Sequence, residues 1–310
     1  MRPVFRDPKI EEEFQREGYV KMPFISIDKV EKLKKAFFDT LPKSGGLITD
    51  DDINNSGSKS ITYDFTFIDK NPEYKKLVFD IINEEFKEAY DRILADFKPI
   101  IANFIRKKEA GGEVPLHQNW AFVDEHKCTS VSIWCPLVDS TVENGTLQVV
   151  PKTHKRYGEF RGPMVPWELE GIKNEIIDKY LVPLETKAGD CVVLDDSIVH
   201  YSAINKTPGL RLTIQLILIP AEVPSIHYHL PNGNGSEIEV WEVDKDFYME
   251  FNPWAQPKDM KVIGKVPFVN KSLTEKEFAE KIGGKRIDDA VLNPKTEKGF
   301  FERVKRMLVS

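Results

Sequence analysis

The chain has 310 residues, 41% of them hydrophobic and 30% charged, with a net charge of −6. That is an ordinary globular composition, and the charge gives no electrostatic reason to bind nucleic acid. No run of about 18 apolar residues occurs, so no membrane-spanning helix is expected. The opening MRPVFRDPKIEEEF lacks the apolar segment of a signal peptide, which makes the cytoplasm the expected location.

In chain order, Pro8 to Glu17 reads as a short helix stopped by Gly18, followed by an extended YVKMPF. Ser26 or Asp28 can cap a helix over Asp28–Phe38, whose Val30, Leu33, Phe37 and Phe38 share a face. Residues 44–46 and 50–60 form a polar connection, and Pro72 opens a long amphipathic helix. From Pro99 the pattern changes to short runs rich in β-branched and aromatic residues: PIIANFI, HQNWAFV, TSVSIWCPLV, TLQVVP, DCVVL and LRLTIQLILIP. Gly111-Gly112, Asn144-Gly145, Gly189-Asp190 and Pro208-Gly209 punctuate them as turns. Strands of this kind suggest an antiparallel sandwich or barrel, the jelly roll included. Pro163–Tyr180 reads as a helical or loop insertion, Leu273–Ile282 as a helix capped by Ser272, and Phe300–Leu308 as another helix. The expected layout is one domain over 1–310, with a mainly helical part (1–98), an all-β core (99–220) and a C-terminal extension packed on it (221–310).

Cys128, Cys135 and Cys191 form no CxxC pair, and the last two lie in apolar runs, where a buried thiol is the usual reading. Two of the six histidines stand in telling places. His117 opens HQNWAFV, and His200 precedes the last strong strand. On a strand, residues i and i+2 share a face, so a metal-ligand pair there has the form His-x-ligand and includes position 119. His200 would add a third ligand from a neighbouring strand and leave coordination positions open. The alternative is two unrelated core or surface histidines. Arg211 heads LRLTIQL, where Arg211, Thr213 and Gln215 alternate with apolar residues. A buried guanidinium needs a partner, either an internal carboxylate or a small dicarboxylate ligand.

The segments HQN (117–119), ENGTLQVVPKTHK (143–155) and GDCVVLDDSIVH (189–200), with Trp134, Ser202, Asn205 and Arg211, resemble the phytanoyl-CoA dioxygenase family of iron(II)- and 2-oxoglutarate-dependent oxygenases. EGYVKMPFISIDKVEKLKKA is similar to that family's opening helix–strand–helix, and the resemblance runs over roughly 11–220. It implies an all-β core with flanking helices (α+β) built on a double-stranded β-helix, a jelly roll of cupin type. It also implies Fe(II), 2-oxoglutarate as cosubstrate, molecular oxygen and a small-molecule substrate. His117 and His200 would bind iron. Arg211 would hold the distal carboxylate of 2-oxoglutarate, assisted by Ser202, with Gln118 and Trp134 nearby. Asn119 stands where the family has aspartate, so a neutral amide oxygen replaces an anionic one. Three readings follow: Asn119 ligates weakly, the position is left to water or halide as in related halogenases, or catalysis is lost and ligand binding kept. Asp124 lies too far along an extended chain to substitute, whereas a turn could bring Asp195 or Asp196 inward. Substrate choice is expected to rest in three loops, 47–67, 158–180 and the aromatic 226–254, whose rings pack over the barrel or line a pocket. The sequence leaves the oligomeric state open.

Overall fold

A computed structural model describes residues 2–47, 64–252 and 259–289. Residues 50–60, Trp254 and Phe300–Leu308 therefore lie largely or wholly outside the described residues.

The N-terminal part runs α1 (Pro8–Glu17), β1 (Tyr19–Pro23), α2 (Ile27–Thr40), β2 (Asp64–Phe65) and α3 (Pro72–Ile93). Local chemistry fixes each boundary. Gly18 ends α1 in a left-handed conformation at φ 84°, Ser26 caps α2 by accepting from Lys29 N, and Asn71 caps α3 just ahead of Pro72.

The core strands are β3 (Phe97–Lys107), β4 (Val114–His117), β5 (Val131–Pro136), β6 (Leu147–Val149), β7 (Val182–Pro183), β8 (Asp190–Asp195), β9 (His200–Ser202) and β10 (Arg211–Pro220). They form two antiparallel sheets, of order β1-β8-β5-β10-β3-β2 and β4-β9-β6-β7. The large sheet is apolar on both faces over much of its area. Leu212, Ile214, Leu216 and Leu218 of β10 join Ile133, Cys135, Cys191 and Val193 in a cluster with Val30, Leu33 and Phe37 of α2 and Val78, Ile82 and Phe86 of α3. Each such fully buried side chain contributes about 1.5–3 kcal/mol. Trp134, Val192 and Leu194 of the large sheet meet Leu147 and Val149 of β6. Two sheets closed over a shared core, with helices on one outer face, make the double-stranded β-helix that the sequence led us to expect. All three cysteines are buried and free, and burial raises each thiol pKa.

Beyond the core, β11 (Ser225–His229), β12 (Glu237–Val243) and β13 (Val262–Pro267) form a third sheet, α5 (Lys245–Glu250) follows β12, and Phe278 of α6 (Glu275–Lys281) packs with Leu116 and Tyr157. Two expectations are corrected here. The aromatic segment after Ile226 is a strand pair and a helix, because Ser225–Val243 and His229–Glu239 close an antiparallel ladder. Its Trp241, Tyr248 and Phe251 are buried with Phe67 and Phe122. The helix near 273–282 begins at Glu275, since Thr274 and Glu277 form a reciprocal capping box that Ser272 cannot. Between β7 and the preceding turns lies α4 (Lys173–Lys179). The chain downstream returns to the core through Asp288, buried against Lys155 at 3.1 Å and bound by both Arg286 Nε and Nη2. No helix among the described residues is long and apolar enough to cross a membrane.

Gly145 sets the entry to β6, where it packs against the end of β9. Its φ is +74°, and a Cβ there would lie 2.1 Å from the Ala203 carbonyl oxygen. Its own carbonyl accepts from Ser202 Oγ at 2.7 Å. Gly145→Ala should cost on the order of 3 kcal/mol, the upper range for a strained left-handed residue, as measured by urea unfolding. An unchanged midpoint would mean that the turn rearranges freely.

Candidate active site

Strands β4 and β9 pair so that His117 stands opposite His200. The ring centroids are 4.1 Å apart with planes inclined at 50°. Each ring is fixed in the same way. His117 Nδ1–H donates to the Pro115 carbonyl at 2.7 Å, and His200 Nδ1–H donates to the Ile198 carbonyl at 2.9 Å. A carbonyl can only accept, so both Nδ1 atoms carry the proton and both Nε2 atoms keep a lone pair. Burial lowers the pKa of both rings. The Pro115 hydrogen bond and the nearby Asn119 side chain oppose this for His117, and the neighbouring His117 reinforces it for His200. Two neutral imidazoles oriented by backbone carbonyls are what a metal site requires of histidine.

The strand stops at His117. HQNWAFV was expected to continue as a strand, but only its first residue belongs to β4. Beyond it the backbone finds partners outside any ladder. Asn119 O accepts from Arg161 Nε at 2.7 Å, Ala121 N donates to Arg161 O, and Phe122 O accepts from Ile226 N. Arg161 is itself clamped by both oxygens of Glu125, at 2.6 and 2.8 Å. Asn119 is buried, and its Nδ2 donates to Ser132 Oγ at 3.0 Å and Asp196 Oδ1 at 2.8 Å. Burial raises the Asp196 pKa to about 7, against the hydrogen bonds from Ser132 and Asn119. Among the described residues, no group of three or more histidine, cysteine or carboxylate side chains could hold a metal ion. Position 119 therefore presents an amide, with the Asp196 carboxylate one hydrogen bond behind it. Asp124 lies elsewhere, paired with Lys127 at 2.6 Å.

The other end of the site is cationic. Arg211 is 2% exposed, and its Nη1 donates to Thr213 Oγ1 at 3.1 Å. Its Nε is buried without a hydrogen-bond partner, and no described carboxylate forms an ion pair with it. Its guanidinium carbon lies 5.8 Å from the centre of the buried Trp134 ring. Opposite Arg211 in the β10–β3 register stands Lys107, fully buried. Lys107 Nζ donates to Ser202 Oγ, to Ser202 O at 2.9 Å and to Ala203 O at 2.6 Å. Ser202 thus links this end to His200, two residues earlier on β9. Burial, and then the Arg211 charge, bring the Lys107 pKa down to about 6, and burial brings that of Arg211 down to about 9.

The structure thus gathers His117, Asn119, His200, Ser202, Arg211 and Trp134 around one face of the core. Gln118 is engaged differently. Its amide donates to the Tyr157 and Ser197 carbonyls and accepts from Trp167 Nε1 at 2.8 Å. Lys107 escaped the sequence reading, although its signal was present. It ends the run NFIRK at a position that the alternation of Asn103, Ile105 and Lys107 puts on one face.

The phytanoyl-CoA dioxygenase (PhyH) family model matches residues 14–213. The chain belongs to this family. Among curated members, it is 32% identical over 156 residues to a phytanoyl-CoA dioxygenase domain-containing protein 1 homolog of Dictyostelium discoideum. It is 35% identical over 118 residues to phytanoyl-CoA dioxygenase 1 of Oryza sativa subsp. japonica. These matches cover 48% and 36% of this chain and 53% and 41% of the relatives, so the chain spans about half their length or less. Similar solved structures include the epimerase SnoN in complex with Fe3+, alpha ketoglutarate and nogalamycin RO, at 17% identity and TM-score 0.51, covering 86% of this chain and 97% of that one. The carbocyclase SnoK follows at 18% identity and TM-score 0.50, covering 73% and 89%. At that identity the likeness is one of fold, and the PhyH assignment rests on sequence.

In this PhyH chain the cationic end makes a pH dependence. The folded Lys107 pKa of about 6 lies below the ordinary 10.5. Between those values the unfolded chain binds more protons than the folded one, so stability rises with pH across that window. Arg211 adds to the slope only above its own folded pKa of about 9. Urea unfolding of the ligand-free protein from pH 6 to pH 10 should therefore lose less stability on acidification in Lys107→Met than in the parent. Parallel pH profiles would show that Lys107 is not charged at a cost in the folded state.

Proposed function

We propose that the protein is an iron(II)- and 2-oxoglutarate-dependent dioxygenase acting on a small organic molecule. One observation carries this reading: a converging imidazole pair with free Nε2 atoms shares a face of the β-helix with a buried arginine that lacks a carboxylate partner. The donor set fits the ion. His117 and His200 would hold Fe(II) through Nε2, with the Asn119 amide oxygen as a neutral third donor. When bound, iron supplies the oxygen chemistry that couples oxidative decarboxylation of 2-oxoglutarate to oxidation of the substrate.

The protein's own residues prepare the rest. Arg211 is matched to the distal carboxylate of 2-oxoglutarate, because a planar guanidinium binds a carboxylate through two parallel hydrogen bonds. Ser202 and Lys107 stand beside it, bonded to one another and to the Gly145 and Ala203 carbonyls. Trp134 walls that end and keeps water from the guanidinium, which strengthens a carboxylate contact in a low-dielectric setting. The hydrogen-bonded Asn119 side chain fills position 119, which weighs against a halide in that place. The substrate is read no further than a small molecule, since the segments expected to select it include 48–63, outside the described residues.

Two measurements test the reading. Calorimetry of 2-oxoglutarate binding to the Fe(II)-loaded, oxygen-free protein should show Arg211→Ala weakened by about 2–5 kcal/mol, the range for removing one partner of a buried charge pair. Equal affinity in parent and variant would rule out Arg211 as the carboxylate anchor. His200→Ala should abolish Fe(II)-dependent consumption of 2-oxoglutarate, and parent protein that consumes none with iron and oxygen supplied would contradict the enzymatic reading.

A further inference from the structure

Asn119, Ser132 and Asp196 form a closed, buried triangle. Asn119 Nδ2 donates to Ser132 Oγ at 3.0 Å and to Asp196 Oδ1 at 2.8 Å, and Ser132 Oγ donates to the same Oδ1 at 2.6 Å. An amide nitrogen has two hydrogens and no acceptor capacity, so both hydrogens of Nδ2 are engaged here. The amide oxygen takes the opposite side, toward the His117 ring, where it opposes the lowering of that ring's pKa. A flipped amide would set Oδ1 against the Asp196 carboxylate, acceptor facing acceptor. The carboxylate thus selects which atom of Asn119 faces the histidines.

The same carboxylate is the negative charge that position 119 does not carry. It sits outside ligand reach, since no three-membered group of histidine, cysteine and carboxylate side chains forms among the described residues. Its influence passes through the amide. A hydrogen bond from Nδ2 to an anion draws electron density toward Oδ1 and makes that oxygen a better donor to a cation.

We propose that Asn119 and Asp196 act as one unit, in which Asp196 turns the amide oxygen toward the histidine pair and supplies, one hydrogen bond behind it, the charge that a ligating aspartate would have brought. Asp196 is a positioning residue in this scheme: it touches Asn119 and not the metal. The inference rests on the iron reading above, and it has a consequence that a lone weak ligand would lack. Asn119→Asp by itself sets two carboxylates at hydrogen-bond distance in a buried place, where they cannot both ionise without cost. Exchanging the two residues, in Asn119→Asp/Asp196→Asn, keeps one charge and a complementary hydrogen bond while moving the charge to the metal side.

The experiment is a four-protein cycle of parent, both single variants and the exchange, read in two ways. Urea unfolding of the metal-free proteins reports the contact, and Co(II) titration followed by visible absorption reports the metal. Asp196→Asn should weaken Co(II) binding by about 10–100-fold, the usual loss when a group supporting a ligand is removed. Asn119→Asp should destabilise the metal-free fold and gain little Co(II) affinity, and the exchange should recover both stability and at least the parent's affinity. Should Asp196→Asn fail to fold, the exchange carries the test alone. A parent that takes up no Co(II) overturns the iron reading and this inference with it. A parent that binds Co(II) while Asp196→Asn binds it equally, or single effects that simply add in the exchange, overturn this inference and leave the iron reading standing.

Discussion

Strand β10 must satisfy two environments at once, and the rest of the molecule is arranged around that demand. It is flanked on both sides, by β3 and β5, so neither edge is open to solvent. One face, from Leu212 to Leu218, is buried against the helices. The other carries Arg211, Thr213 and Gln215, all polar and all inside the β-helix. Period-two alternation makes this possible, and the same alternation fixes what stands beside them: Lys107 and Asn103 on β3, Trp134 on β5. A slip of one residue would drive Arg211 into the helix-packed cluster, so the apolar face protects the register of the polar one.

The polar face is costly to fold. Arg211 and Lys107 are buried side by side with no carboxylate joining Arg211, and burial lowers the pKa of each. A few kilocalories per mole is a large share of a domain's stability, so such groups persist where something outside the chain repays them. The helix-packed cluster on the opposite face is large enough to carry the deficit.

Much of the fold could be read from the sequence because its signals are local. Gly18, Ser26 and Pro72 fix helix ends by their own backbone chemistry, and the β-branched runs after Pro99 mark the strands. His117, His200 and Arg211 could be singled out because alternation and family resemblance pointed to the same positions. What escaped the reading depends on contacts between distant segments. The strand ends at His117 because Arg161, held by Glu125, takes over the Asn119 carbonyl. Local pattern in HQNWAFV carries no trace of that. Alternation along NFIRK could put Lys107 on the inner face, but only the β10–β3 register sets it opposite Arg211. Asp196 could be suspected from its nearness to His200, but its partner, 77 residues away in sequence, is visible only in the folded chain.

Charge shows why these three features belong together. The histidine end offers two neutral imidazoles and a neutral amide, backed by one carboxylate, while the far end offers Arg211 and Lys107. A divalent cation at the first end and Arg211 at the second, set against Asp196, leave two positive charges. A dicarboxylate that spans the two ends cancels both, and Lys107 can then adjust by holding or releasing its proton. A monocarboxylate would leave one charge buried beside the Trp134 ring. Buried charge without a partner is the most costly arrangement available to a protein interior. Under the proposed iron reading, the charge balance of the whole face would favour a dianion, beyond what Arg211 alone imposes.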